Sequence, residues 1–120
     1  MKYFFDTYAI IEIIKENKSY KKYLDEEITT SHLNIGELYY FLTKSYSKEL
    51  ADLWYNKLKD TSLFIELDTI IEAMIFRKEN KNKNFSFIDC VSYIISKKNK
   101  LIFLTGDKEF KDMPNVEFVK

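Results

Sequence analysis

A single cysteine, Cys90, and a single histidine, His32, exclude two architectures at once. No disulfide framework can form within the chain, and no Cys/His cluster of the kind that holds zinc. One proline and two glycines in 120 residues leave no flexible linker. No internal repeat or low-complexity stretch divides the sequence, so residues 1–120 are expected to form one domain. An excess of one charge is also missing. Lysine plus arginine equal aspartate plus glutamate at 19 each, so any contact with a polyanion must be local. No run approaches ~18 uncharged apolar residues, which argues against a membrane span. The short apolar start, with Lys2 and Asp6 around it, does not read as a secretion signal. A cytoplasmic, reducing setting is expected.

What the chain does have is apolar surface to bury, with 46% hydrophobic and 17% aromatic residues. A chain of this size can bury roughly 65% of its unfolded surface, enough for a core without covalent staples. Short apolar runs alternate with stretches of helical spacing. Strands are expected at 2–5, 27–31, 62–67, 100–104 and 116–119, the last at a sheet edge. Helices are expected at 7–16, where Ile10, Ile11, Ile13 and Ile14 make a stripe, and at 20–25, 34–46, 48–60, 68–80 and 86–98. Asp68 is read as the start of the fifth of these. Strands separated by helices predict βαβ units, and hence an α/β fold: a three-layer α/β/α sandwich about a mainly parallel sheet. In such a sheet every strand points its C-terminal end at one rim, where ligands bind.

Four carboxylates are placed at that rim. Asp6 ends the first strand, and Asp107 follows the 100–104 strand by three residues. Glu37 falls in the first turn of the helix after 27–31, and Asp89 in the first turn of the helix that leads into 100–104. For Asp89 the chain must climb back over 81–86. Six extended residues reach ~20 Å and a twelve-residue helix is ~18 Å long, so the climb is possible. Crowded carboxylates repel one another unless a cation neutralises them. All-oxygen ligation selects Mg²⁺ or Mn²⁺, and such ions activate water and hold a phosphodiester for attack. Each acid also has a plainer reading. Asp6 caps the following helix, Ser86 and Asp89 form a capping box, and Asp107 caps a turn. Glu37 has better capping rivals in Ser31 and Asn34. Gly36 and Gly106 stand immediately before Glu37 and Asp107, either to allow close approach or as ordinary turn glycines.

The stretches "FFDTYAI", "NIGELYY", "SFIDCVSYI" and "LTGDKEF" together resemble the PIN domain, in particular the small VapC-type toxins. The resemblance runs in order over nearly the whole chain. It implies a metal-dependent endoribonuclease in which Asp6, Glu37, Asp89 and Asp107 hold Mg²⁺ or Mn²⁺ and cleave RNA. It also implies supporting hydroxyls at Thr7 and Thr105 and a matching aromatic at Phe110. The implied partners are RNA, an antitoxin protein that blocks the crevice, and a second copy in a homodimer. Rival readings are a catalytically silent PIN-like module that binds RNA or a partner, and an RNA-processing nuclease outside any toxin-antitoxin pair.

This chain departs from the family's pattern at Tyr8, Cys90 and Tyr93, where small residues are usual, and a narrower crevice is expected. Glu109 offers a further outer carboxylate, with an exposed, solvated acid as the plainer reading. The basic loop "RKENKNKNF", through Lys78, Lys81 and Lys83, offers contacts to RNA phosphates, with a solvated loop as the plainer alternative. Tyr39, Tyr40, Tyr46, Trp54 and Tyr55 offer a partner surface or core packing. A thiol nucleophile at Cys90 with His32 as base finds no support in the spacing; a small buried hydrophobe is the better reading.

Overall fold

The computed structural model describes residues 2–120. Its five strands are β1 (Tyr3–Phe5), β2 (Thr30–Ser31), β3 (Ser62–Leu63), β4 (Ile102–Thr105) and β5 (Val116–Phe118). β1, β4 and β5 pair in that order, and β2 pairs with β3, all in parallel. A parallel bridge between Phe4 and Thr29 joins the two ladders, with the Phe5 N–H donating to the Thr29 carbonyl at 2.8 Å. The strand order is therefore β3-β2-β1-β4-β5, with β5 at an edge as expected.

Alternation along the central strands makes the three layers. Tyr3, Phe5 and Leu104 point into a core shared with α1 (Thr7–Ile14), α2 (His32–Ser45) and α3 (Lys48–Leu58). Phe4 and Phe103 point the other way, into a core shared with α4 (Leu67–Glu79) and α5 (Phe87–Lys98). Successive strand residues facing opposite sides is the period-2 rule at work in a sheet covered on both faces.

Several elements differ from the sequence expectation. The 27–31 strand ends at Ser31, whose hydroxyl caps α2 by accepting the Asn34 N–H at 3.3 Å, but it begins only at Thr30, Thr29 making an isolated bridge to Phe4. The 62–67 strand contracts to Ser62–Leu63, since a ladder extends only as far as its partner. α4 then starts at Leu67 rather than Asp68. Glu66 is its N-cap, without a side-chain bond, and Asp68 sits in the first turn where the helix dipole favours an acid. The expected 20–25 helix is a 3₁₀ helix, Lys18–Tyr23, capped by Asn17. Because α2 begins at His32, Glu37 lies in its second turn, not its first.

The climb back to the rim after α4 is secured by aromatic stacking. Phe85 is buried, with its ring 4.5 Å from that of Phe110 and 5.6 Å from that of Phe76. Phe110 is fully buried in the same cluster, which explains an aromatic at that position.

Candidate active site

Asp6 follows β1 directly and caps α1. Its Oδ1 accepts the Thr7 N–H at 2.9 Å, and its Oδ2 accepts the Thr105 hydroxyl at 2.7 Å. The residue is only 4% exposed. Burial pushes its carboxyl up to about 8, the nearby charges of Asp89 and Glu37 add to this, and the Thr105 and Thr7 hydrogen bonds oppose it. The Thr105 hydroxyl also accepts the Asp107 N–H at 3.1 Å, so one β4 side chain ties the first acid to the last.

Asp107 caps the 3₁₀ turn Lys108–Phe110, its Oδ1 accepting the Glu109 N–H at 3.0 Å. Asp89 and Ser86 form a reciprocal capping box: the Asp89 Oδ2 accepts the Ser86 N–H at 2.8 Å, and the Ser86 hydroxyl accepts the Asp89 N–H at 3.1 Å. Burial raises the Asp89 carboxyl, the Asp107 charge raises it further, and Arg77, the sole arginine, pulls it down. Burial raises Glu37 as well, with the Thr7 hydroxyl opposing.

The cap readings are thus realised, and they do not compete with a shared site. Asp6, Glu37, Asp89 and Asp107 line one open cleft of about 460 Å³, together with Thr7 and Tyr8. They do not meet at a point: among the described residues, no three His, Cys, Asp or Glu side chains stand close enough to grip one ion. Mutual repulsion between carboxylates is a sufficient physical reason for the spread.

Beneath the cleft lies a polar network that sequence reasoning missed. Asn34 is fully buried, and its Nδ2 donates to the Thr7 hydroxyl at 3.0 Å. Its Oδ1 accepts from the hydroxyls of Ser92 at 2.9 Å and Ser31 at 2.6 Å. α1, α2 and α5 are bound together here. A detectable signal was Asn34 and Ser92 interrupting helix faces that are otherwise apolar.

The two glycines separate. A Cβ on Gly106 would collide with the Tyr8 ring and the Val119 carbonyl. A Cβ on Gly36 would meet nothing within 4 Å, and Gly36 lines a different groove between α2 and α3, with Tyr39 and Tyr55. Gly106 therefore makes room for Tyr8, the departure that does line the cleft. The other two departures do not narrow it, because Cys90 and Tyr93 are buried in the α4–α5 core. Burial pushes the Cys90 thiol up to about 11, which removes it as a nucleophile. Gly106→Ala should cost about 1–3 kcal/mol through overpacking, since a backbone carbonyl cannot swing aside. Urea unfolding measures this, and an unchanged midpoint would show that the cleft wall is softer than its packing implies.

Glu109 is not a simple solvated acid. Its Oε1 accepts the Asn84 N–H at 2.9 Å and its carbonyl accepts from Lys83 Nζ at 3.3 Å, which pins the basic loop to the Asp107 turn. Lys78, Lys81 and Lys83 do not line the cleft itself. Of the aromatics on α2 and α3, Tyr39 bonds Asp52 at 2.7 Å and Trp54 packs on the core, while Tyr40, Tyr46 and Tyr55 are exposed.

The sequence matches the PIN domain over residues 3–116. The chain belongs to the PIN domain family. Solved structures repeat the fold over the whole length of this PIN domain. It is similar to the sarcin-ricin loop cleaving toxin VapC20 of Mycobacterium tuberculosis, with a TM-score of 0.84 at 16% identity, covering 99% of this chain and 100% of that one. It is similar to a toxin-antitoxin complex from Klebsiella pneumoniae, with a TM-score of 0.77 at 18% identity over 97% and 96% of the two chains. A chain of VapBC2 from Rickettsia felis, bound to a DNA fragment from its promoter, gives a TM-score of 0.75 at 20% identity over all of both chains. No curated protein matches the sequence.

Proposed function

We propose that this PIN domain is a Mg²⁺- or Mn²⁺-dependent endoribonuclease and the toxin of a toxin-antitoxin pair. The observation that carries the reading is the convergence of Asp6, Glu37, Asp89 and Asp107 on one cleft from four separate segments of the chain. Although no three of the described acids stand close enough here to grip one ion, in donor chemistry the set fits a hard divalent cation. It is all oxygen, and the capping bonds occupy one carboxylate oxygen each on Asp89 and Asp107. Asp6, Glu37, Asp89 and Asp107 would hold the ion. Bound there, such an ion supplies water activation and charge stabilisation at a phosphodiester.

The remaining work belongs to this chain's own groups. The Thr7 N–H and the Thr105 hydroxyl fix both oxygens of Asp6, so the deepest carboxylate cannot rotate away. The Ser86 box orients Asp89, and the Glu109 N–H orients Asp107. Buried groups with raised proton affinity in a cleft are what a site built for charge would show.

The toxin role is supported by the likeness to VapC and VapBC structures. A cytoplasmic RNA substrate and a small antitoxin partner follow from it; among the described residues no helix is long and apolar enough to cross a membrane. Lys78, at the end of α4, and Lys81 and Lys83, on the loop pinned beside Asp107, are kept as outer phosphate contacts. A homodimer is supported by an apolar stripe on α4, where Leu67, Ile71 and Ile75 are each more than half exposed. That helix is acidic at its start (Asp68) and basic at its end (Arg77, Lys78), so antiparallel pairing with a second copy is complementary. Sedimentation of the purified chain tests the pairing.

The deciding experiment is RNA cleavage by the purified protein with Mn²⁺ or Mg²⁺ and with EDTA. Cleavage lost in EDTA is expected, together with growth arrest on expression and relief by co-expression of a cognate antitoxin. RNA binding without turnover would instead favour the silent PIN-like module.

A further inference from the structure

A cleft lined by four acids has to admit a polyanion, so the cations on its wall carry unusual weight. Among the described residues that line it, Lys44 is the one cation. It stands one turn after Tyr40 on α2, with its ammonium 5.8 Å from the centre of that ring. Tyr40 also lines the cleft and is 66% exposed. The core contacts of α2 are made by Ile35, Leu38 and Leu42 on its other side, so Tyr40 is not held there by packing. A second such pairing involves Tyr8, another residue of the cleft, whose ring lies 5.7 Å from the Lys120 ammonium.

Exposed aromatic rings accompanied by cations are the elements that bind unpaired nucleic acid. Bases stack on the ring faces while the ammonium groups follow the phosphates. A duplex conceals its base faces and offers nothing to such a platform. We propose that Tyr40 and Lys44, in the cleft that Tyr8 also lines, form a stacking platform that holds unpaired bases of single-stranded RNA beside the four carboxylates; this rests on the nuclease reading above. Tyr40 supplies the stacking face and Lys44 a phosphate contact.

The test is fluorescence anisotropy with a labelled oligoadenylate decamer, the same decamer with abasic centre positions, and a duplex of equal length. Ca²⁺ is present to neutralise the acids. The wild type is expected to bind the single-stranded decamer more tightly than the abasic strand or the duplex. Tyr40→Ala should weaken the decamer roughly 5- to 150-fold, the range that one stacked base is worth. It should leave the abasic strand unchanged, and Tyr40→Phe, which keeps the ring, should bind as wild type. Lys44→Gln should lower the slope of log affinity against log salt by about one.

Equal binding by Tyr40→Ala and wild type, equal loss on the decamer and the abasic strand, or no binding by the wild type would overturn the platform. The readout needs no turnover, so the two readings fail separately. A wild type that binds the decamer but cuts nothing in Mn²⁺ fails the nuclease reading and leaves the platform standing. A wild type that cuts while Tyr40→Ala keeps full affinity fails the platform alone.

Discussion

Asp6→Asn is expected to raise the melting temperature of the metal-free protein at pH 8 and to slow RNA cleavage by about 10²–10³-fold. The stability half follows from linkage. The Asp6 carboxyl titrates near 8 in the folded chain, against an ordinary value of 3.8. Between those values the folded state keeps a proton that the unfolded state has released. Stability from this group is therefore fully present below about 4 and is lost as pH rises through about 8, at about 1.4 kcal/mol per pH unit. Glu37 and Asp89 are shifted in the same direction, so they steepen the trend. From pH 5 to pH 8 the wild type in EDTA should lose about 3–4 kcal/mol, and Asp6→Asn should lose much less.

The amide is accommodated at Asp6 because its Oδ1 can still accept the Thr7 N–H, and asparagine caps a helix about as well as aspartate. Its Nδ2 would donate to the Thr105 hydroxyl, reversing one hydrogen bond without removing it. Catalysis is not accommodated. Losing a charge that holds the ion at about 3–4 kcal/mol corresponds to about 10²–10³-fold in rate. Thermal melts across pH in EDTA and cleavage rates in Mn²⁺ measure the two halves. A variant that melts lower than wild type at pH 8, or that cleaves at the wild-type rate, would sink the four-carboxylate site.

Most of the site was legible because its acids sit next to elements with strong local signals. Asp6 and Asp107 follow apolar runs that must be buried strands, and Ser86 with Asp89 spells a capping box in the sequence itself. The topology then carries all of them to one rim without further information. Other features depend on partners that spacing does not reveal. The length of β3 is set by its two-residue partner β2, so an expected strand of six residues became a strand of two. Glu109 reads as solvated until Asn84 folds back onto it. Gly36 and Gly106 look alike in sequence, and only the Tyr8 ring makes the second obligatory. Tyr40 reads equally as partner surface or core packing, because periodicity marks which side of a helix is apolar and is silent about what the other side borders.

Asn34 is the extreme case of such dependence, since its partners Thr7 and Ser92 lie 27 and 58 positions away. Asn34→Ala should be among the most destabilising substitutions in the chain, at about 3–5 kcal/mol. It removes the acceptor for the Ser92 and Ser31 hydroxyls and the donor to Thr7, all in a site without solvent. The Ser31 hydroxyl keeps its capping bond and that of Thr7 keeps Glu37, whereas that of Ser92 loses its acceptor. At this chain length the loss corresponds to roughly 10–20 °C in melting temperature. Ser92→Ala is the control. It deletes one hydroxyl and leaves Asn34 with Ser31 and Thr7, so about 1 kcal/mol is expected. The consequence for the site runs through Thr7, whose hydroxyl Asn34 holds against Glu37. The rise in melting temperature on adding Mn²⁺ should therefore shrink in Asn34→Ala and persist in Ser92→Ala. If Asn34→Ala unfolds within about 1 kcal/mol of wild type, burial has been offset by water entering the gap, and the network is not what holds α1, α2 and α5 together.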